Sequence, residues 1–236
     1  NPYAIGWGIA FMYLLLAMGA FEESSKVPKS SAVSYTAEWY GIIVLISSTA
    51  FASSIGMMIY YHSEGLPFLT RYSKLTPKYY LLSLYFTMLL TLLVVSALMA
   101  VGVVSFFSYR FGEMILPKNW GLLILDAVLS GMFYLPLLLL LEELAVMTSR
   151  KLSNFISFIP VILAFISGFS NASSSAYYDP FLSVELLGME SFLSVNGFNV
   201  TYSVLSLLSW TLLLSLASMS LFRRLYYKSF EEGKFV

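Results

Sequence analysis

Six apolar segments constrain the fold of this chain more than any other feature of its sequence. They lie at residues 3–21, 39–61, 79–107, 120–141, 152–169 and 202–222. A helix needs about 20 apolar residues to cross the ~30 Å hydrocarbon layer of a bilayer, and each segment is close to that length. We therefore predict an all-α integral membrane protein with six transmembrane helices, in which residues 1–236 form a single transmembrane domain.

The composition agrees with a membrane protein and excludes several other classes. Hydrophobic residues make up 58% of the chain and charged residues 11%, whereas a soluble domain carries about 25% charged residues. The net charge is zero, which gives nucleic-acid binding no electrostatic support. Because the chain has no cysteine and one histidine, His62, we expect no disulfide, iron–sulfur cluster, bis-histidine haem or multi-histidine metal site within it.

The lysines and arginines predict which way the segments cross. Nine lie in or after the connections that follow the second, fourth and sixth segments: Arg71, Lys74, Lys78, Arg150, Lys151, Arg223, Arg224, Lys228 and Lys234. The four on the other side are Lys26, Lys29, Arg110 and Lys118. Cytoplasmic loops are the ones enriched in these residues. We therefore predict a multi-pass protein of the cell membrane with both termini in the cytoplasm.

The outer connection before the last segment predicts a short helix. Asp179-Pro180 combines a capping acid with a proline at the first helical position, and a mostly apolar stretch of about 14 residues follows. Such a stretch is too short to span a bilayer. We predict a re-entrant or interfacial helix on the outer face; a hydrophobic loop packed on the neighbouring spans is the alternative.

Few residues within or beside the apolar segments indicate chemistry. Asp126 is an acid inside the fourth segment, and Ser130 and Tyr134 share its helical face; the three either line a pathway or form a hydrogen-bonded packing cluster. Asn171 and Asn199 begin Asn-x-Ser/Thr sequons on the predicted outer face and are candidate glycosylation sites.

Catalysis by this chain is not expected. The sequence contains no Gly-x-x-x-x-Gly-Lys phosphate-binding loop. It also offers no nucleophile–base pair, given one histidine and no cysteine. If the protein is coupled to ATP, the ATPase is another chain. Glu142 and Glu143, at the end of the fourth segment, form either an interfacial charge cluster or part of a docking surface for a soluble partner.

The polar segment between the second and third spans carries a family resemblance. Residues 63–82 read SEGLPFLTRYSKLTPKYYLL, with an acid-Gly start, a Thr-Pro break and a Tyr-Leu-Leu entry into the third span. This segment resembles the loop after span 2 in type-2 permeases of ATP-binding-cassette (ABC) exporters, although Leu66 replaces the usual threonine. The six-span layout, the outer helix before span 6 and the Leu-Phe-Arg-Arg exit at residues 221–224 are also similar to that family.

The resemblance implies a permease subunit that forms a dimer with a second copy or a homologue and engages a cytoplasmic ABC-type ATPase. The implied coupling helix comprises Glu64, Gly65, Phe68, Leu69, Arg71, Tyr72 and Lys74. ATP and magnesium would bind the ATPase, and this chain would bind no cofactor. The alternative is a non-catalytic accessory subunit of a larger membrane assembly, such as a respiratory complex. Apart from membrane lipid, an exported lipid, peptide or hydrophobic drug-like molecule is the expected ligand class.

Overall fold

The chain folds into helices throughout the part that the computed structural model describes, which comprises residues 2–21, 27–63, 77–148, 153–168, 178–193 and 197–232. These residues contain no β-strand. The helices are α1 (Pro2–Phe21), α2 (Ala32–Ser63), α3 (Pro77–Phe111), α4 (Trp120–Thr148), α5 (Ser153–Gly168), α6 (Pro180–Phe192) and α7 (Gly197–Glu232). A 3-10 turn at Lys29–Ser31 leads into α2.

The six predicted apolar segments fall on α1 to α5 and α7, so the all-helical prediction is confirmed. Four helices are long and apolar enough to cross a membrane, over Lys29–Ile55, Tyr79–Phe111, Trp120–Ala145 and Asn199–Ser220. The described apolar parts of α1 and α5, Ile9–Phe21 and Phe158–Gly168, are shorter than a full span. The structure thus supports a multi-pass membrane protein with four spanning helices, and two further spans remain a prediction.

Helices α2 and α4 form the centre of the bundle. Each has 72% of its apolar stretch buried, against 39% for α3 and 17% for α7. Helix α2 packs against α1, α3, α4, α5 and α6, and α4 packs against α2, α3, α5, α6 and α7. The outer helices turn large apolar side chains away from the bundle, such as Phe86 and Val101 of α3 and Leu216 of α7. Contact between such side chains and hydrocarbon is favourable, whereas their exposure to water costs free energy.

The short helix α6 begins where the sequence predicts. The Asp179 side chain accepts a hydrogen bond from the Phe181 N–H at 2.9 Å and caps the helix, with Pro180 in its first turn. Nine of its thirteen residues are buried. Helix α6 therefore lies inside the bundle, because an interfacial helix would keep one face outside it.

Helix α6 runs antiparallel to the first half of α4. The start of α6 packs against the middle of α4. The centroid of the Phe181 ring lies 5.6 Å from that of Phe133 and 6.2 Å from that of Tyr134. At its other end, the Asn119 N–H donates to the Ser191 carbonyl at 3.0 Å. Since a helix rises 1.5 Å per residue, Tyr134 lies about 21 Å along α4 from its start.

The end of α5 meets the start of α6. The Ser167 hydroxyl donates to Asp179 Oδ2 at 2.8 Å, one residue before α5 ends. Gly168 packs beside Leu45 in the middle of α2. The last turn of α5 and the first turn of α6 thus lie at the same level of the bundle. Together the two helices cover the length of one long helix.

Candidate functional site

The residues predicted to couple to an ATPase lie outside the described part of the chain. Glu64, Gly65, Phe68, Leu69, Arg71, Tyr72 and Lys74 all fall within residues 64–76. The first sequon residue, Asn171, is also outside it. The coupling role and the glycosylation of Asn171 therefore stay predictions.

Asp126 and Ser130 meet inside the bundle. The Ser130 hydroxyl donates to Asp126 Oδ1 at 3.2 Å, as expected for side chains one helical turn apart. Asp126 is completely buried, and Ser130 and Tyr134 are buried with it. The other carboxylate oxygen, Asp126 Oδ2, has no hydrogen-bond partner among the described residues.

Tyr134, the third member of the predicted set, bonds to α2. Its hydroxyl lies 2.9 Å from Thr49 Oγ1 and 3.5 Å from Ser48 Oγ. Thr49 Oγ1 also lies 2.6 Å from the Leu45 carbonyl oxygen, so this hydroxyl connects Tyr134 to the backbone of α2. The Ser-Ser-Thr run at residues 47–49 is a sequence signal for this contact, but small residues in a span equally indicate close packing.

A second tyrosine approaches Asp126 from α2. The Tyr40 hydroxyl lies 3.1 Å from Ser96 Oγ of α3, and both side chains are buried. Tyr40 and Tyr134 both lie close enough to Asp126 to interact with it electrostatically. We call these residues the interior polar cluster: Tyr40, Thr49, Ser96, Asp126, Ser130 and Tyr134. Sequence reasoning missed Tyr40, Thr49 and Ser96, since no motif connects them.

The interior polar cluster contains one acid and otherwise hydroxyl groups. Among the described residues, no group of three or more His, Cys, Asp or Glu side chains is placed to hold a metal ion. The cluster has neither thiol nor imidazole, so it offers no strong nucleophile or base of the usual catalytic kind. Its chemistry is that of a buried negative group surrounded by hydroxyl oxygens, which suits a positively charged ligand.

Three more carboxyl groups surround the junction of α5 and α6. Burial raises the pKa of Glu185 to about 8, and the nearby carboxyls of Asp179 and Glu38 raise it further. Glu185 Oε2 has no hydrogen-bond partner in the described ranges. It lies 3.8 Å from the position that a Cβ on Gly168 would take. Glu185 is therefore an acid whose proton is retained up to mildly alkaline pH.

Glu142 and Glu143 are more enclosed than an interfacial charge cluster would be. Each is 3% exposed, in the second half of α4. Both carboxylate oxygens of Glu143 lack a hydrogen-bond partner within the part of the chain that the structure describes. The second sequon residue, Asn199, uses its side-chain nitrogen to donate to Glu190 Oε1 at 3.0 Å and is partly buried.

The fold and this interior place the chain in a broad class, that of α-helical multi-pass membrane proteins with a polar cluster enclosed by the helices. Comparison with known proteins does not narrow the class further. No protein-family model matches the chain, and no curated protein or solved structure matches it either.

Proposed function

We propose that this chain is the membrane-spanning permease subunit of an ATP-driven ABC exporter. The observation that carries the proposal is the order of the helices. Helices α1 to α5 are followed by the short, enclosed α6 and then by the long α7, which agrees with the layout that the loop at residues 63–82 implies by resemblance. In this proposal α1 to α5 and α7 account for the six spans, and both termini are cytoplasmic.

In the proposed exporter, α6 occupies the outer half of the bundle. Its start packs about 21 Å along α4, which is roughly two thirds of a ~30 Å hydrocarbon layer. It is held between α2, α4, α5 and α7, so a cargo leaving through the centre of the bundle requires α6 to shift. The polar contacts that hold it include Ser167–Asp179, Asn199–Glu190 and Asn119–Ser191.

The segment from Glu64 to Lys74 would transmit the work of the ATPase. A short amphipathic helix with Phe68, Leu69 and Tyr72 as apolar contacts, and Arg71 and Lys74 as basic ones, would fit a groove on a soluble partner. Closure of two ATPase subunits would then tilt α2 and α3 in each copy of a dimer and alternate the access of the pathway. ATP and magnesium belong to the partner.

The helices limit the cargo that this proposal allows. Residues 79–109, 119–149 and 152–222 contain no lysine, arginine or histidine. A strongly anionic cargo would therefore find no compensating charge within these helices. A lipid, a peptide or another largely apolar molecule agrees best with the apolar faces and the buried hydroxyl groups.

Purification of the intact chain from its native membrane tests the proposal. We expect a mild-detergent extract to contain a soluble ATPase in roughly equimolar amount. Glu64→Lys and Arg71→Glu are expected to release that ATPase, because they reverse charges on the predicted docking segment. Glu113→Lys is the matched control, since Glu113 is exposed in the connection between α3 and α4.

Two results would contradict the proposal. Recovery of cytochromes or other membrane subunits without an ATPase would favour the accessory-subunit alternative. Recovery of an ATPase that both docking variants retain would place the contact outside residues 64–74. A loss caused equally by Glu113→Lys would mean that the charge reversals act through folding.

A further inference from the structure

Asp126 is a fully buried acid, and the apolar stretches of the helices around it contain no basic residue. It is 0% exposed, near the start of α4. Helix α4 packs against α2, α3, α5, α6 and α7. The sequence places no lysine, arginine or histidine at residues 30–61, 79–109, 119–149 or 152–222. A buried acid in a membrane protein is normally paired or faces a wet cavity, and these stretches contain no basic residue. The basic residues of the same helices, such as His62, Lys78 and Arg110, lie near the helix ends.

The polar groups that interact with Asp126 carry oxygen atoms. Ser130 donates to Oδ1, while Oδ2 has no partner among the described residues. Tyr40 and Tyr134 interact with it electrostatically, and α3 contributes the Ser96 hydroxyl through Tyr40. Hydroxyl and carboxylate oxygens are the ligands that hard, small cations prefer.

Other ionisable groups on the packed helices do not neutralise this carboxyl. Helix α6 carries only acids: Asp179, which is bonded to Ser167 and caps the helix; Glu185; and Glu190, which accepts from Asn199. Helix α2 adds Glu38, which is exposed. Residues 153–168 of α5 and 197–220 of α7 contain no acid or base other than Tyr202.

We infer that Asp126, with Ser130, is a binding site for one small monovalent cation, an alkali ion or a proton. The bound charge balances the carboxyl where water does not reach it. Because Asp126 is enclosed among the helices that pack on α4, its occupancy stabilises their packing. The site does not depend on the exporter proposal, since it needs no ATPase.

Thermal unfolding of the purified full chain tests this site. The Tm is measured in NaCl, KCl and choline chloride at equal ionic strength and fixed pH, and then in choline chloride between pH 5.5 and 8.5. The pH series is made in the Glu185→Gln background, because Glu185 gives the fold a pH dependence of its own. A ligand that binds only the folded state raises the Tm as its concentration passes the Kd.

We expect an alkali site to raise the Tm in NaCl or KCl over choline, and a proton site to raise it as the pH falls. Asp126→Asn, which keeps the shape of the side chain, should abolish the dependence. Ser130→Ala keeps the charge but removes one hydrogen bond, so it should move the midpoint by about five- to tenfold in cation concentration. Glu113→Gln, at an exposed acid, should behave as the unmodified chain does.

Two outcomes would overturn the inference: a Tm that responds neither to cation identity nor to pH, or a response that Asp126→Asn leaves unchanged. If Asp126→Asn does not accumulate in the membrane, Ser130→Ala is the deciding variant, because it retains the carboxyl and loses the hydrogen bond to it. An unchanged midpoint in Ser130→Ala would then exclude the site. The ATPase pull-down is independent of these results, so failure of one proposal is distinguishable from failure of the other.

Discussion

Gly41 shows how a single residue allows α6 to lie inside the bundle. A Cβ at this position would come within 2.7 Å of the Glu185 carbonyl oxygen and of Met189 Cγ, and one on Gly188 would lie 3.2 Å from the Gly41 Cα. The two helices therefore meet backbone to backbone. Glycine pairs permit this kind of approach in membrane helices, where close packing drives association. The sequence shows both glycines but not that they face each other.

Replacing Gly41 should loosen this contact. In Gly41→Ala the methyl group meets a backbone carbonyl that cannot rotate away, so α6 must move from α2. We expect a loss of about 1–3 kcal/mol, which lowers the Tm by ~2–4 °C per kcal/mol for a chain of this size. Gly168→Ala is the matched control, because its new Cβ would have no neighbour closer than 3.4 Å. Equal Tm values for the two variants would contradict the close contact.

Glu185 should make the stability of the fold depend on pH. Burial raises its pKa from 4.5 to about 8 in the folded chain, with further contributions from Asp179 and Glu38. Between these two values the folded state holds a proton that the unfolded state has released. The free energy of unfolding therefore falls as the pH rises from about 4.5 to about 8, and the contribution of Glu185 is complete below that window.

A comparison of Tm against pH between 5 and 9 tests the role of Glu185. The unmodified chain should lose thermal stability as the pH rises, whereas Glu185→Gln, which has no proton to release, should lose less. Glu113→Gln should retain the original slope, because Glu113 is exposed. If Glu185→Gln shows the same slope as the unmodified chain, another group causes the pH dependence.

At the scale of the element, the junction of α5 and α6 depends on Asp179. One carboxylate oxygen accepts from the Phe181 N–H and the other from the Ser167 hydroxyl. Asp179→Ala removes both contacts, and we expect it to cost about 1 kcal/mol for the cap and about 1–3 kcal/mol for the hydrogen bond to a carboxylate. Ser167→Ala removes the second contact and leaves the cap in place.

The double variant separates the two contacts at this junction. Because Asp179→Ala has already broken the bond to Ser167, the double variant should be less destabilised than the sum of the two single variants, by about 1 kcal/mol or more. Chemical or thermal unfolding of the four proteins in the same detergent gives this coupling. Strict additivity would show that Ser167 stabilises the fold without its bond to Asp179.

The helices were largely predictable from the sequence, while the burial of α6 inside the bundle was not. Apolar runs gave every long helix, since a run of about 20 apolar residues has few other folds, and Asp179-Pro180 gave the start of α6. A capping signal is local and carries no information on what the helix packs against. That α6 is enclosed depends on Gly41, on Phe133 and on Asn119, which belong to distant parts of the chain.

The candidate site was predictable only in part, for the same reason. The spacing of Asp126, Ser130 and Tyr134 along α4 places them on one helical face, and Ser130 does bond to Asp126. The bonding of Tyr134 to Thr49, and the approach of Tyr40 with Ser96, join helices far apart in sequence. Periodicity within one helix gives no information on such pairs.

At the scale of the whole molecule, the pattern of buried and exposed helices supports a membrane protein more strongly than the lengths of the helices do. The centre, α2 and α4, is enclosed, and the apolar sides of α3 and α7 face outward. Helices α1 and α5 have shorter apolar stretches in their described parts. Helix α5 ends beside the start of α6, so these two short helices together cover the distance that one long helix covers elsewhere.

The membrane topology is the prediction that tests this arrangement most directly, and the absence of cysteine makes it easy to measure. Single cysteines are introduced at Glu113, between α3 and α4, and at Lys151, between α4 and α5. A membrane-impermeant maleimide should label position 113 in intact cells and position 151 only after permeabilisation, because the more basic connection remains in the cytoplasm.

The reverse pattern at 113 and 151 would invert the whole topology and place the predicted coupling segment outside, where no ATP-driven partner could reach it.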